Sequence, residues 1–334
     1  TASGDHHPLL MANCLAQALW KVRETRSTEE VRVFVSKMKV YAISDQDFAG
    51  PWIRNTFPEL FYIVDPSAGN DWREYYRAAW TGISGDQWYK NGPGYQLSLV
   101  SNPWLAENIR EGHGPLGAHY IPFAYIMEGD TPSFLGLIQN GLGWYLSPAW
   151  GGWGGRYEFY QSYAEKGKIW TSSVNTQDEV VLSDGRRETS NQATIWRWRE
   201  AFQHDFAARM DWNVAEEFSQ ANHHPVITLN GHTGKAVAQA RINGGERVFL
   251  SAEGSSDPDG DQLIYRWFVY PEAGSFTGEL PLPQPDTETL SFSMPVINIT
   301  GVSGDVFLIL KASSQPSIPG IWMSESTISN LSLT

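Results

Sequence analysis

The chain is short of cysteine, of positive charge and of long apolar runs. Cys14 is its single cysteine in 334 residues, which excludes an intrachain disulfide and a cysteine-based zinc site. That suits the cytosol, and equally a large secreted bacterial protein that manages without disulfides. Lys and Arg number 24 against 37 Asp and Glu, a formal net charge of −13. The basic residues form no dense cluster, so no nucleic acid is expected as a partner, because a phosphate backbone needs a cationic footprint. No apolar run approaches the ~18 residues of a membrane span, and "TASGDHHPLL" at the N-terminus has neither the basic start nor the apolar stretch of a signal peptide. No membrane association is expected.

What the chain has in quantity is aromatic surface. Aromatic residues make up 13% of it, with 15 Trp, many of them beside Gly, Asn or Arg. A flat apolar face with a polar tip suits core packing, and it equally suits stacking on the C–H face of a sugar ring. Hydrophobic residues at 41% and charged residues at 18% describe a globular chain able to bury a core.

At this length two domains are the default, and the texture changes where they would meet. "LLMANCLAQALWKVRETR" has helical spacing, "STEE" at Ser27 to Glu30 has the pattern of a capping box, and "KVYAIS" reads as a strand. "PWIRNTF", "DWREYYRAAW", "NPWLAENIR" and "TPSFLGLI" read as helices, and "LFYIVD" and "YIPFAYIM" as strands. Strands alternating with helices predict an α/β domain on a mostly parallel sheet over residues 1–218. Its closing helix is "NQATIWRWREAFQHDFAARMDW", with Ile195, Trp198, Phe202 and Phe206 on one face. Beyond a linker near residues 216–225, short alternating runs between turn residues predict an all-β sandwich over 222–334.

"YIMEGDTPSFL" carries the first candidate chemistry. Thr131 reads as an N-cap and Pro132 as a first helical residue, which puts Glu128 and Asp130 at the C-terminal end of a strand, beside a helix start. Ligands of α/β sheets bind at such ends, and the helix dipole favours ionised carboxylates there. Two acids so placed can accept hydrogen bonds from a sugar diol or help to hold calcium. Equally, Asp130 can cap the helix while Glu128 pairs with an arginine. "WGGWGGRYEFY" offers a second candidate: a sugar-contacting loop with Trp150 and Trp153 as stacking faces and Arg156 as a hydrogen-bond fork, or else an aromatic loop packed on the core. "SSDPDGD" opens like an EF-hand loop, but Phe268 stands where the twelfth-position Glu is needed, so a tight turn between strands is expected. The pairs His6/His7 and His223/His224 make poor chelators, since adjacent side chains on extended backbone point apart, and no role is expected of them.

Taken together, "ISDQDFAGPWIR", "YRAAWTGISGD", "NGPGY", "GPLG", "YIMEGDTPSFLGLI", "WGGWGGRYE" and "SNQATIWRWREAFQHDFAARMDW" resemble the cellulose-binding proteins of microbial polysaccharide degraders. In that family a nucleoside-hydrolase-like domain precedes a cadherin-like β domain. The resemblance implies that Glu128 hydrogen-bonds sugar hydroxyls and that Asp130 stands where nucleoside hydrolases have an asparagine. It also implies that Asn191 lies near the place of a calcium-ligating Asp. The Asp-rich first strand that supplies most calcium ligands and the general base is expected upstream of Thr1, so an N-terminally truncated chain is expected. A hydrolase of glycosidic or N-glycosyl bonds, acting through calcium-bound water, is the function implied, with a non-catalytic polysaccharide-binding protein as the alternative. The implied partner is a sugar or polysaccharide and the implied location extracellular or periplasmic; the oligomeric state stays open.

Overall fold

The computed structural model describes residues 12–45, 47–65, 95–124, 131–161, 165–295, 304–315 and 324–333. Helix α1 (Asn13–Thr25) is followed by α2 (Thr28–Val35), whose start is the expected capping box: Ser27 Oγ accepts from the Glu30 amide, and the Glu30 carboxylate accepts from the Ser27 amide. Strand β1 (Lys39–Ser44), helix α3 (Ala49–Thr56) and strand β2 (Phe61–Asp65) form a β-α-β unit in which the strands pair in parallel, with Val40 opposite Tyr62 and Tyr41 opposite Ile63. Parallel strands need such a crossover.

Alternation along the strands sorts the residues between two faces. Val40, Ala42, Tyr62 and Val64 pack against Leu19, Val35, Ile53 and Phe57 of the three helices and their flanks. Tyr41 and Ile43 face the opposite way. Two short strands, β3 (Glu158–Tyr160) and β4 (Ile169–Thr171), complete a four-stranded sheet in the order β1-β2-β4-β3, with β3 antiparallel to β4.

Between β2 and β3 in the chain lie short helices: α4 (Asn102–Leu105), which runs into a π-helical turn at Ala106–Arg110, then α5 (Gly114–His119) and α6 (Thr131–Leu135). The strand expected at "YIPFAYIM" is corrected over its described part, since Tyr120 to Ala124 form no strand and Ile121 is exposed. "DWREYYRAAW" lies outside the described residues. A hairpin of β5 (Asp178–Val181) and β6 (Arg187–Ser190) follows. The closing helix is two helices, α7 (Ala193–Trp196) and α8 (Arg199–Val214), with a break at Arg197 and Trp198.

After a small hairpin, β7 (Thr228–Leu229) with β8 (His232–Thr233), come β9 (Ala238–Ile242), β10 (Arg247–Ser251), β11 (Gln262–Val269), β12 (Thr289–Ser293), β13 (Gly304–Gln315) and β14 (Ser324–Leu333). One sheet runs β11-β13-β14-β9 and the other pairs β10 with β12. Val248, Leu250, Leu290 and Phe292 of the smaller sheet meet Trp267, Val306, Leu308 and Leu310 of the larger, so this part is a β-sandwich. The "SSDPDGD" segment is a turn between β10 and β11: Asp257 Oδ1 accepts from the Asp259 amide at 2.9 Å, and Gly260 adopts φ +80°.

Strand β13 explains its own sequence. Val306, Leu308 and Leu310 face the sandwich core, while Phe307 and Ile309 face the α/β part and join a core with Ile43, Trp153, Trp198 and Phe202. A strand buried on both faces reads as a continuous apolar run, which "VFLIL" at its centre is. The two parts of the chain therefore share hydrophobic core. Trp198 packs edge-on to Tyr270 at 5.8 Å, and Trp150 lies 5.7 Å from Phe307. Trp267 fills the sandwich centre, and its indole N–H donates to the Thr287 carbonyl at 2.8 Å. Trp267→Ala is expected to cost about 3–5 kcal/mol of stability, the range for deleting a large buried aromatic, read as a lower midpoint in urea unfolding.

Candidate functional site

Glu128 and Asp130 lie outside the described residues, and the description resumes at Thr131, the first residue of α6. A cleft of about 260 Å³ opens there between α6 and α8. Phe134, Phe202 and Phe206 form its apolar walls, and Gln203, Asp205 and Arg209 bring polar groups to it. Gln203 is fixed by a hydrogen bond to the Leu99 carbonyl at 2.8 Å. Asp205 is buried and accepts from Arg209 Nε at 2.8 Å and from His224 Nε2 at 2.7 Å. Burial pushes its carboxyl up, but the hydrogen bonds from His224 and Arg209 outweigh that and hold it below the usual carboxylate range.

His224 belongs to the linker, and its neighbour His223 turns the other way. His223 bonds Asp259 of the β10–β11 turn through Nδ1 at 3.0 Å and stacks on Trp212 at 5.5 Å and 9°. The two rings do point apart, as adjacent side chains on extended backbone must. Each anchors the linker to a different part of the protein, a role the sequence did not suggest.

The acids that follow β1 are structural. Arg54, almost wholly buried, forms a fork with Asp45 at 2.8 and 2.7 Å and reaches Glu165 through Nε at 3.1 Å. Burial opposes the charge on this guanidinium, and its two carboxylate partners more than restore it. The same guanidinium lies 5.1 Å over the ring of Tyr62. Burial, with the nearby Asp45 charge, pushes the Tyr62 phenol up to about 12. Asp47 Oδ1 accepts the Ala49 amide at 2.8 Å at the start of α3.

The candidates from "WGGWGGRYEFY" face inward. Trp153 is only 3% exposed and packs edge-on to Phe202 at 6.4 Å, so its faces serve the core. Arg156 is likewise buried. It donates through Nε to Asp178 at 2.8 Å and through its terminal nitrogens to the carbonyls of Asn175 and Gln177 at 3.2 and 2.8 Å. Its fork is thus filled by protein groups. Asp178, with 0% exposure, also accepts from Arg197 at 2.8 Å and from the Tyr270 hydroxyl at 2.6 Å. Arg197 reaches Glu272 as well, at 3.2 Å, and stacks 4.1 Å over the Tyr270 ring. Burial first, and then the Asp178 charge, raise the Tyr270 phenol well above its ordinary value.

Asn191 donates through Nδ2 to the carbonyls of Ser173 and Thr176 at 2.7 and 2.9 Å, so its amide serves to fasten the loop before β5. Among the described residues no group of three or more His, Cys, Asp or Glu comes together to hold a metal ion. Asp178, at the start of the hairpin that leads to Asn191, is engaged by two guanidinium groups and a phenol.

The fold and the comparisons agree on a class. A solved structure described as a nucleoside hydrolase-related hypothetical protein from Saccharophagus degradans, associated with carbohydrate metabolism, matches with a TM-score of 0.68 at 31% identity. The match covers 96% of this chain and 69% of that one. The chain therefore has a nucleoside-hydrolase-like fold. Residues 11–157 match the family model for cellulose-binding Sde182, nucleoside hydrolase-like domain, and residues 247–319 match that for cellulose-binding protein Sde0182, C-terminal domain. The chain belongs to this cellulose-binding family. No curated protein matches it.

Asp178→Ala is expected to destabilise by about 3–5 kcal/mol, because it strands buried guanidinium groups without their carboxylate. Tyr270→Phe, which removes one hydrogen bond to a charged acceptor, is expected to cost about 1.5–3 kcal/mol. Urea unfolding of both variants checks the order. Asp205 sets a pH dependence. A carboxyl held below its unfolded value stabilises the fold above that value, about 3.9 for Asp, and the contribution is lost as pH falls through the folded value. Asp205→Asn is therefore expected to flatten the acid limb of a stability-against-pH curve measured by thermal melts.

Proposed function

We propose that this protein binds carbohydrate on a nucleoside-hydrolase-like scaffold and does not cleave it. The observation that carries this reading is membership of a family described as cellulose-binding, and the two acids after β1 add no catalytic group to it: Asp45 is clamped by Arg54, and Asp47 accepts the Ala49 amide at the start of α3. A base that activates water must be within reach of that water and hold a matched pKa, whereas these carboxylates organise their own chain. Membership of a family described as cellulose-binding supports a polysaccharide as the ligand. No helix among the described residues is long and apolar enough to cross a membrane.

In this reading Glu128 and Asp130 accept hydrogen bonds from sugar hydroxyls. The β-sandwich, a cadherin-like module by resemblance of sequence, spaces or docks the α/β part in an extracellular or periplasmic setting. A second reading, hydrolysis of a glycosidic or N-glycosyl bond, is favoured by one observation. The cleft between α6 and α8 begins at Thr131, next in sequence to Asp130. Calcium enters that reading through the resemblance alone.

Insoluble cellulose is expected to deplete the protein from solution with no soluble sugar released over hours, with or without added calcium. Calcium-dependent release of reducing sugar, or turnover of an aryl riboside, would instead establish the hydrolase reading.

A further inference from the structure

The sheet has an aromatic surface on the side away from α1–α3. Phe61 on β2, Trp170 on β4 and Phe159 on β3 stand on adjacent strands, with Trp170 paired to Ile63 on one side and to Phe159 on the other. Their ring centroids follow at 5.9 Å and 5.3 Å, with interplanar angles of 36° and 37°. Phe159, at the end of the row, is 51% exposed. Two strand spacings make the row about 10 Å long, the scale of two successive pyranose rings.

The row continues past Phe61 into a groove of about 410 Å³ whose walls include Tyr41, Phe134, Gln139, Trp144 and Tyr145. Leu137 and Leu146 lie exposed close by in sequence, at 79% and 53%. Exposed apolar side chains gathered around one groove mark a binding surface.

The glycine-rich loop holds this surface in place. Tyr41 hydroxyl donates to the Gly154 carbonyl at 3.1 Å and is hydrogen-bonded to the Tyr157 hydroxyl. Trp144 Nε1 donates to the Gly155 carbonyl at 2.8 Å, and the rings of Tyr41 and Trp144 stack at 5.8 Å and 25°. A Cβ on Gly154 would lie 2.7 Å from the Cα of Gly136, and one on Gly136 would lie 2.7 Å from the Trp144 ring. Only glycine allows the loop this approach, so "WGGWGG" acts as the mount of an aromatic wall. Rings fixed in this way lose little further freedom when a ligand lies on them.

Charge speaks to the occupant. In a chain of net charge −13, this groove has no carboxylate among its lining residues. Its one ammonium, Lys39, donates to the Tyr145 carbonyl and sits 4.8 Å over the Phe61 ring. Such a surface offers flat apolar faces to an uncharged ligand, with a single ammonium, already bonded to a carbonyl, as its one charged group.

We propose that the row Phe61–Trp170–Phe159 and the groove it enters form the contact surface for an uncharged β-glucan chain, with pyranose faces stacked on the rings. This rests on the polysaccharide reading above.

The test measures binding of the full chain to microcrystalline cellulose, with sedimentation of the free protein in parallel. Phe159→Ala is expected to weaken binding about tenfold, the equivalent of about 1.4 kcal/mol, with its melting temperature kept because the side chain is half exposed. Phe159→Trp is expected to restore binding. Phe159→Ala combined with Trp170→Ala is expected to abolish it, while Phe249→Ala, at an even more exposed apolar residue on the β-sandwich, changes nothing. Cellulose binding undiminished in Phe159→Ala and in the double variant overturns the site and leaves the polysaccharide reading standing. No binding by the unsubstituted chain overturns both. Self-association that Phe159→Ala abolishes, with cellulose binding intact, makes the surface a contact between copies and overturns the proposal.

Discussion

Asp178 is a carboxylate without solvent contact, and four other residues are arranged around its charge. Arg156 and Arg197 from the α/β part and Tyr270 from the β-sandwich all donate to it, and Glu272 of the sandwich holds Arg197 from the other side. A charge buried this deeply is tolerated only when paired and fully hydrogen-bonded. The partners come from both parts of the chain, so satisfying Asp178 fixes how they meet. The apolar contacts between Trp198 and Tyr270 and between Trp150 and Phe307 then close around it. Gly151 belongs to the same junction, with φ +76° and a position where any Cβ would run into the Tyr270 ring.

From this junction the aromatic row and the cleft beside α6 follow. The loop that carries Arg156 toward Asp178 also carries Gly154 and Gly155, whose carbonyls hold Tyr41 and Trp144. Strand β3 leaves that loop directly and places Phe159 beside Trp170. On the other side of the chain, α8 supplies Phe202 to the shared core and Asp205 to the cleft beside α6. The linker is tied at both ends of its histidine pair, to Asp205 of α8 and to Asp259 of the β-sandwich. The aromatic row and the domain junction are thus one packed structure, in which fully satisfied buried polar groups specify the geometry.

Elements governed by local chemistry were legible in the sequence. The reciprocal bonds of Ser27 and Glu30 start α2 where the pattern said they would, and "KVYAIS" and "LFYIVD" are β1 and β2. Elements governed by distant partners were not. "YIPFAYIM" has the composition of a buried strand, yet its described residues take no ladder. "DEVV" looks like a surface hairpin, and nothing in it announces that Asp178 will be the most enclosed carboxylate of the junction, because its partners lie up to 92 positions away. Trp153 and Arg156 have the chemistry of ligand binding, and the same chemistry serves equally well inward, on Phe202 and on Asp178. The aromatic row is not legible in the sequence for a related reason. Phe61, Trp170 and Phe159 are far apart in sequence and become neighbours only through the order β2-β4-β3.

The central claim is that this nucleoside-hydrolase-like scaffold holds a β-glucan without cutting it. Calorimetric titration with a soluble cello-oligosaccharide tests it most directly, because one trace separates binding from turnover. Heat that appears at each injection, saturates and returns to baseline is the predicted result. Heat flow that persists after mixing, with shorter sugars accumulating in the cell, would contradict it.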